Sequence, residues 1–569
     1  MISEMKKITF QETNDALWKE AAIKSLRGLP FDRLITKTLE GIDIQPLYTK
    51  EQVTKQLPEQ KALLQTIRSG MKTADWTIAQ QSYATDGDKF IAEVKEALEK
   101  GNEAIRYDGN RKVNWTDDSL KQLAELVETH PIYAFHVQED DRFTEIFSLI
   151  ETDKRKEIKG AFIGDFEVPE DYRLLRTACA DTIDVHLKGA DVITELAVAL
   201  AIAAEKSESF QSFTQFENQF LVRFAIDTEF FMEIAKLRAF RMLWQTFAQC
   251  YGVQKDSRVP IFSETSLRTY SKLDPYVNLL RAGNEAFSAV LGGTDILTVH
   301  PHDVVSNVSQ AAIRIARNIQ LIIKEETFVQ YVLDPAGGSY FIDTLTNEIV
   351  DKAWSLFQEI EVEGGYRSYV ESGKLDARLK ELYEKRLEQI SKGEKSLIGT
   401  NIYPDLTEEL KEIESTVEVN GRLAEPYEKL RSTLQHNQPK TVLLTFGQLK
   451  DFKARADFVT GFLATAGIKS EWSPAFESVA EAKKWMLEND FDYGVICAHP
   501  NEIDDVMDEF IQDFPQDKWI DVAGKYDEAT EETWKNAGVS DFIYKGQDQL
   551  GKLRAIQKRW EEVAQHEEA

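Results

Sequence analysis

The chain has 569 residues, 42% of them apolar, enough for several domains or one large barrel with additions and too apolar for global disorder. Acidic residues outnumber basic ones by 97 to 68, and the net charge of −29 argues against nucleic acid or an anionic membrane as a general partner. The start, MISEMKKITFQETNDALWKE, has no apolar signal core, and the longest apolar run, Leu196 to Ala204, is far short of the roughly 20 residues a spanning helix needs. A soluble cytoplasmic protein is expected.

Residues 1–75 read as an N-terminal arm and helix. From residue 76 a β-rich run is followed, again and again, by a longer segment of helical periodicity. Strands are expected at 76–84, 104–109, 131–137, 160–166, 182–188, 220–226, 259–265 and 295–300. Helices are expected at 88–100, 118–129, 143–158, 169–180, 191–208, 228–250, 275–291 and 307–326, several of them beginning with Asp or Asn as N-caps do. Eight such units in about 250 residues match the size of a (β/α)8 TIM barrel, here 76–345, with an open parallel sheet as the alternative. Residues 346–440 read as a helical linker region. A second alternation fills 441–569, with strands at 441–446, 469–473, 493–498, 518–524 and 541–546. Five βα units in about 125 residues fit a flavodoxin-like doubly wound domain. Its first junction, TVLLTFGQLKDFKAR, is the kind of place where such sheets bind ligands. The loop after Gly447 is nevertheless bulky and charged.

Few residues suggest chemistry on their own. His300-Pro301-His302-Asp303 follows the eighth strand, and a His-x-His there fits either half a zinc site or a loop with two exposed histidines. No other His or Cys has the spacing to complete a metal set. Cys179, Cys250 and Cys497 lie far apart and read as buried free thiols of a reducing compartment. Asp184 and His186, two apart on an expected strand, share one face and fit an acid–base pair or a strand-end hydrogen-bond network. DPAGGSY, 334–340, lacks the Lys-Ser/Thr of a phosphate loop and reads as a structural turn. Lys236, Arg238 and Arg241 read as the basic flank of an amphipathic helix.

Longer strings are more specific. LEGIDIQPLYT (39–49), FFMEIAKLRAFRMLW (230–244), DPYVNLLRAGNEAFSAVLGG (274–293), RIARNIQLIIKEE (314–326), LDPAGGSYFIDTLTNEIVDKAW (333–354), EIEVEGG (359–365) and LIGTNIY (397–403) resemble methylmalonyl-CoA mutases, in the family's order. The resemblance runs from about residue 30 to the C-terminus. It implies a TIM barrel that threads CoA along its axis, a flavodoxin-like cobalamin-binding-type domain, and a radical rearrangement between methylmalonyl-CoA and succinyl-CoA using adenosylcobalamin.

The departures from the family pattern decide what is expected of this chain. Catalytic members read W-T-I-R-Q-Y where this sequence has WTIAQQ, so Ala79 and Gln81 replace an Arg and a substrate-side Tyr. Aligning Y-H-M-Q-E-A-G-A on Gly189-Ala190 puts Asp184 at the substrate-contacting His, with His186 displaced by two positions. In the D-x-H-x-x-G motif, Leu449 stands at the Asp, Asp451 at the cobalt-ligating His and Ala454 at the Gly. Ile496-Cys497-Ala498 replaces S-x-L, and Ala523-Gly524 a Gly-Gly pair. The resemblance therefore implies a non-catalytic small subunit with no catalytic, cofactor or metal site. Adenosylcobalamin and substrate are expected on a large catalytic subunit, its heterodimer partner, with residues 1–50 as the arm toward it. Two competing readings are a self-sufficient cobalamin-dependent mutase with an unusual site and an acyl-CoA-binding or regulatory module.

Overall fold

The computed structural model describes residues 14–57, 60–254, 256–410, 417, 419–515 and 518–567. The helix Asp15–Ser25 is capped by the Asn14 side chain and buries none of its residues. A short hairpin follows, β1 (Thr36–Lys37) and β2 (Asp43–Ile44), and brings Ile42 into the main core.

The alternating region forms two parallel sheets. One has the order β3-β11-β10-β9-β8, from Thr77–Ile78, Ile296–Thr298, Ile261–Thr265, Phe220–Ile226 and Ala178–Asp181; the other has β4-β5-β6-β7, from Ile105–Asp108, Ile132–Val137, Gly160–Gly164 and Leu175–Arg176. Only Thr177 separates β7 from β8, so a single chain path serves both sheets. At the other edges Gln81 bridges to Arg106, and the Glu103 N–H donates to the Ile78 carbonyl at 2.9 Å. Every residue of β9 is buried, as a parallel strand covered on both faces requires. Ala79, Ala104, Phe135, Ala161, Cys179, Leu221, Phe262 and Ile296 form one buried cluster, with a member in or beside a strand at each step around both sheets. The helices Val192–Ser207, Phe230–Cys250, Pro275–Gly292 and Tyr340–Val362 supply much of the main core outside the sheets. The last of these spans residues 345 and 346.

The expected strand at 182–188 and helix at 169–180 are corrected. The strand path is 175–181, and Ile183–Leu187 is a short helix. The misreading has a physical cause. Small Ala and Cys side chains suit a crowded interior but have low β-propensity, so the β-branched run just after them looks more strand-like than the true strand. The expected helix at 143–158 is broken into Arg142–Glu145, Ile146–Leu149 and Arg155–Glu157.

The C-terminal sheet has the order β13-β12-β14-β15-β16, from Ser470–Trp472, Thr441–Thr445, Tyr493–Cys497, Trp519–Ala523 and Phe542–Ile543. In chain order this is 2-1-3-4-5, a doubly wound arrangement. Alternation along β12 sends Leu443 to one core with the helices Glu425–Leu434 and Leu449–Ala464, and Val442 and Leu444 to the other with Val479–Glu488 and Ile503–Phe510.

Candidate functional site

Parallel strands collect their C-terminal ends on one side, and a cavity of about 480 Å³ opens there among Gln81, Tyr83, His136, Arg223, Glu264 and His300. Glu264 is its electrostatic centre. Its carboxylate accepts from Arg106 at 3.0 Å and from the Arg223 Nη2 at 2.6 Å, and lies 3.2 Å from the His300 Nε2. Burial opposes charge on Glu264, but Arg223 and Arg106 override it and hold the carboxyl well below its ordinary range. Arg223 also donates to Asp181 at 2.6 Å, and both guanidinium groups lie 4.5 Å from the centre of the Phe135 ring. Tyr83 Oη is 2.8 Å from the His300 Nδ1. His136 sits between Asp108 at 3.0 Å and Asp181 at 3.4 Å. Burial pulls its pKa down, yet the hydrogen bonds to the two carboxylates raise it to about 9. Nearly every polar group here is already engaged by a neighbour, which makes the mouth a self-satisfied network.

The sequence-derived positions fall at or beside this mouth. Ala79 is fully buried in the interior cluster, behind the cavity, and Gln81 lines it. Asp184 lines it too, from the exposed side of the short helix, whereas His186 is buried on the other side. The expectation that Asp184 and His186 share one strand face is therefore overturned. His186 lies 2.6 Å from Glu195 and 2.7 Å from the Ser266 hydroxyl, and burial, reinforced by Arg268, lowers its pKa to about 4. It is a neutral core histidine. Arg106, Arg223, Glu264, His136 and Tyr83 were not singled out from the sequence. Their signal was there: a charged residue inside an otherwise apolar strand, as in AIRYDG, FLVRFAI and IFSET.

Other expectations also change. His300 and His302 are buried rather than exposed; His302 stacks on Tyr276 with ring centres 5.3 Å apart. Among the described residues no group of three or more His, Cys, Asp or Glu side chains is placed to hold a metal ion. Lys236, Arg238 and Arg241 are no exposed flank. All three are buried, with Lys236 on Glu233 and Glu195, Arg238 on Asp334 and Asp343, and Arg241 on Asp295. Asp334 thus anchors the DPAGG turn, and Ser339 caps the helix that follows it. Cys179 and Cys497 are buried, but Cys250 is exposed.

At the first junction of the C-terminal sheet there is no open loop. Gly447, at φ 84°, turns the chain, and a helix begins two residues later at Leu449. Gln448 is its N-cap. The Asp451 carboxylate accepts from the Gln448 N–H at 2.9 Å and completes a reciprocal capping box. Leu449 and Ala454 are exposed on that helix. Ile496, Cys497 and Ala498 are fully buried. At Gly524 a Cβ would stand 2.5 Å from the Tyr526 hydroxyl, which donates to the Ala523 carbonyl at 2.9 Å and accepts from Arg455 at 3.2 Å. Tyr526 therefore closes over the C-terminal end of β15.

Comparison with known proteins gives a consistent result. The family model for methylmalonyl-CoA mutase matches residues 172–468. A methylmalonyl-CoA mutase small subunit of Porphyromonas gingivalis is 27% identical over 566 aligned positions, covering 88% of this chain and 90% of the relative. The small subunit of Propionibacterium freudenreichii subsp. shermanii is 29% identical, covering 81% of each chain. A probable small subunit of Mycobacterium tuberculosis is 35% identical over 52% of this chain and 51% of its own length. With half of its length matched by the family model and its fold built from parallel α/β sheets, the chain belongs to the methylmalonyl-CoA mutase family.

Proposed function

We propose that this chain is the non-catalytic small subunit of an adenosylcobalamin-dependent methylmalonyl-CoA mutase. In this reading a homologous large subunit binds the cofactor and carries the radical 1,2-rearrangement between methylmalonyl-CoA and succinyl-CoA, and the present chain stabilises the heterodimer. The observation that carries the reading is the helix that starts at Leu449. The positions matching D-x-H-x-x-G are its first turns, not a loop reaching toward a cofactor. Asp451, at the cobalt-ligand position, spends its carboxylate on a backbone N–H. Leu449 has no acceptor with which to orient a metal-bound imidazole. Tyr526 crowds Gly524, where the family pair would leave room. These residues do not fit cobalamin.

The region 76–345 gives independent support. We read its eight strand segments as a (β/α)8 barrel, joined through the β7/β8 path and the Gln81–Arg106 bridge, with 441–569 as a separate doubly wound domain. Phe135 and Phe262, both fully buried and 5.0 Å apart ring to ring, fill the axis along which a CoA arm would pass. The mouth carries Asp184 where the family has an imidazole that donates a hydrogen bond to the thioester, and carboxylate oxygens are acceptors.

The purified chain incubated with adenosylcobalamin should stay colourless after gel filtration and should not turn over methylmalonyl-CoA. Activity should appear only with the large subunit. Robust turnover, or a tight coloured complex formed by this chain alone, overturns the proposal.

A further inference from the structure

A second cavity, of about 410 Å³, lies between the helix Pro275–Gly292, the segment around 386–398 and the residues that follow β9 and β10. Val277, Leu280, Ile390, Leu397 and Ile398 give it apolar walls. Two guanidinium groups line it. Arg281, 8% exposed, donates to Asn278 Oδ1 at 2.7 Å and to the Ile398 carbonyl at 2.8 Å. Arg386 donates to the carbonyls of Ala190 at 3.1 Å and Gly189 at 3.4 Å. All of these acceptors are neutral, and neither guanidinium has an ion-pair partner among the described residues. Burial weakens the charged form of both, and Arg268 adds to that effect at Arg386.

Glu285, one turn along from Arg281, is fully buried, and burial, then Asp227, push its carboxyl well above its ordinary range and toward the neutral form. Two other carboxylates nearby are committed elsewhere. Asp227 is held by Arg268, and Glu229 pairs with Lys395 at 2.8 Å. Glu40 also faces Arg386, but burial, then Glu229 and Asp191, push its carboxyl toward the neutral form. Thr269 is an independent sign of a missing partner. It is 7% exposed, it lines the same cavity, and its hydroxyl has no hydrogen-bond partner among the described residues. A buried hydroxyl left without a partner carries a desolvation cost that a ligand oxygen would remove.

We propose that this cavity is a binding site for a small organic monocarboxylate with an apolar tail: the carboxylate meets Arg281, Arg386 and the Thr269 hydroxyl, and the tail lies against Leu280, Leu397 and Ile398. A planar carboxylate matches a guanidinium fork. A dianionic phosphate has more charge than the site favours, because Asp227 and Glu229 share its lining. The entrance is open, with Leu280 69% and Ile398 41% exposed at its rim.

Calorimetric titration of the full chain with hexanoate tests the assignment, with hexan-1-ol and inorganic phosphate as comparison ligands. Saturable binding of one hexanoate is expected, at least about tenfold tighter than hexan-1-ol, in line with a charged hydrogen bond. Arg386→Gln should weaken it by about tenfold. Because a buried arginine variant risks misfolding, Ile398→Trp at the exposed rim is the decisive control. It should block binding while leaving the melting temperature unchanged. The proposal is overturned by no saturable binding, by hexan-1-ol or phosphate binding as tightly as hexanoate, or by unchanged binding in Ile398→Trp.

Discussion

His136 is a half-buried histidine whose charge is held by two carboxylates, Asp108 and Asp181. Its pKa rises from 6.5 to about 9 on folding. The raised value fixes the sign of its linkage. Below about pH 6.5 the imidazole is protonated in both states and its stabilisation is complete; as pH rises through about 9 that stabilisation is lost. His136→Gln should therefore be less stable than the parent at pH 6, and the gap in urea midpoint should close by about pH 10. A gap of constant size across that range would show that the two carboxylates do not hold the proton. This residue was hard to pick out from the sequence, where it is one letter in PIYAFHV. Its importance comes from Asp108 and Asp181, brought beside it by two other strands. The same holds for Glu264, on β10, whose partners Arg106 and Arg223 come from β4 and β9.

The helix Leu449–Ala464 shows how one side chain can set an element's start. With Asp451 bonded to the Gln448 N–H, the helix begins directly after the Gly447 turn. Asp451→Ala removes half of the capping box and should cost about 1 kcal/mol in urea denaturation. Asp451→His, offered cobalamin, should gain no bound cofactor, because Leu449 and Tyr526 stay unchanged. At this scale the sequence was largely legible. Hydrophobic periodicity marked most of the strands and long helices, and β9 was read to the residue. It failed where the interior demanded small side chains, at β8, because Ala and Cys carry little strand signal. It failed again on the helix Phe230–Cys250. Three cations within six residues read as the basic flank of an amphipathic helix, and only the fold shows that carboxylates from other elements meet each of them.

At the scale of the whole molecule, the helix Asp15–Ser25 is weakly integrated into the described fold. Asp15–Ser25 buries nothing, and Leu17, Ile23 and Leu29 are 48%, 44% and 47% exposed. Apolar side chains left in water on a capped helix suit a segment that packs on another chain. Deleting residues 1–35 should change the stability of the isolated chain by no more than about 0.5 kcal/mol. The same deletion should abolish co-purification with the proposed large subunit. Unimpaired assembly would place the contact elsewhere. The family resemblance only suggests an arm here, whereas the lack of internal packing of Asp15–Ser25 is visible in the fold.

The interior cluster around Phe135 and Phe262 has one more consequence. A protein built around a substrate channel gains stability in proportion to how fully that channel is occupied, so its folded population rises and falls with metabolite supply. In the proposed barrel reading, aromatic side chains from the chain itself take the place of a guest. On that reading, the chain's folded population is therefore uncoupled from substrate supply along this axis. In the proposed role it would brace the large subunit in lean and rich conditions alike, before any substrate arrives.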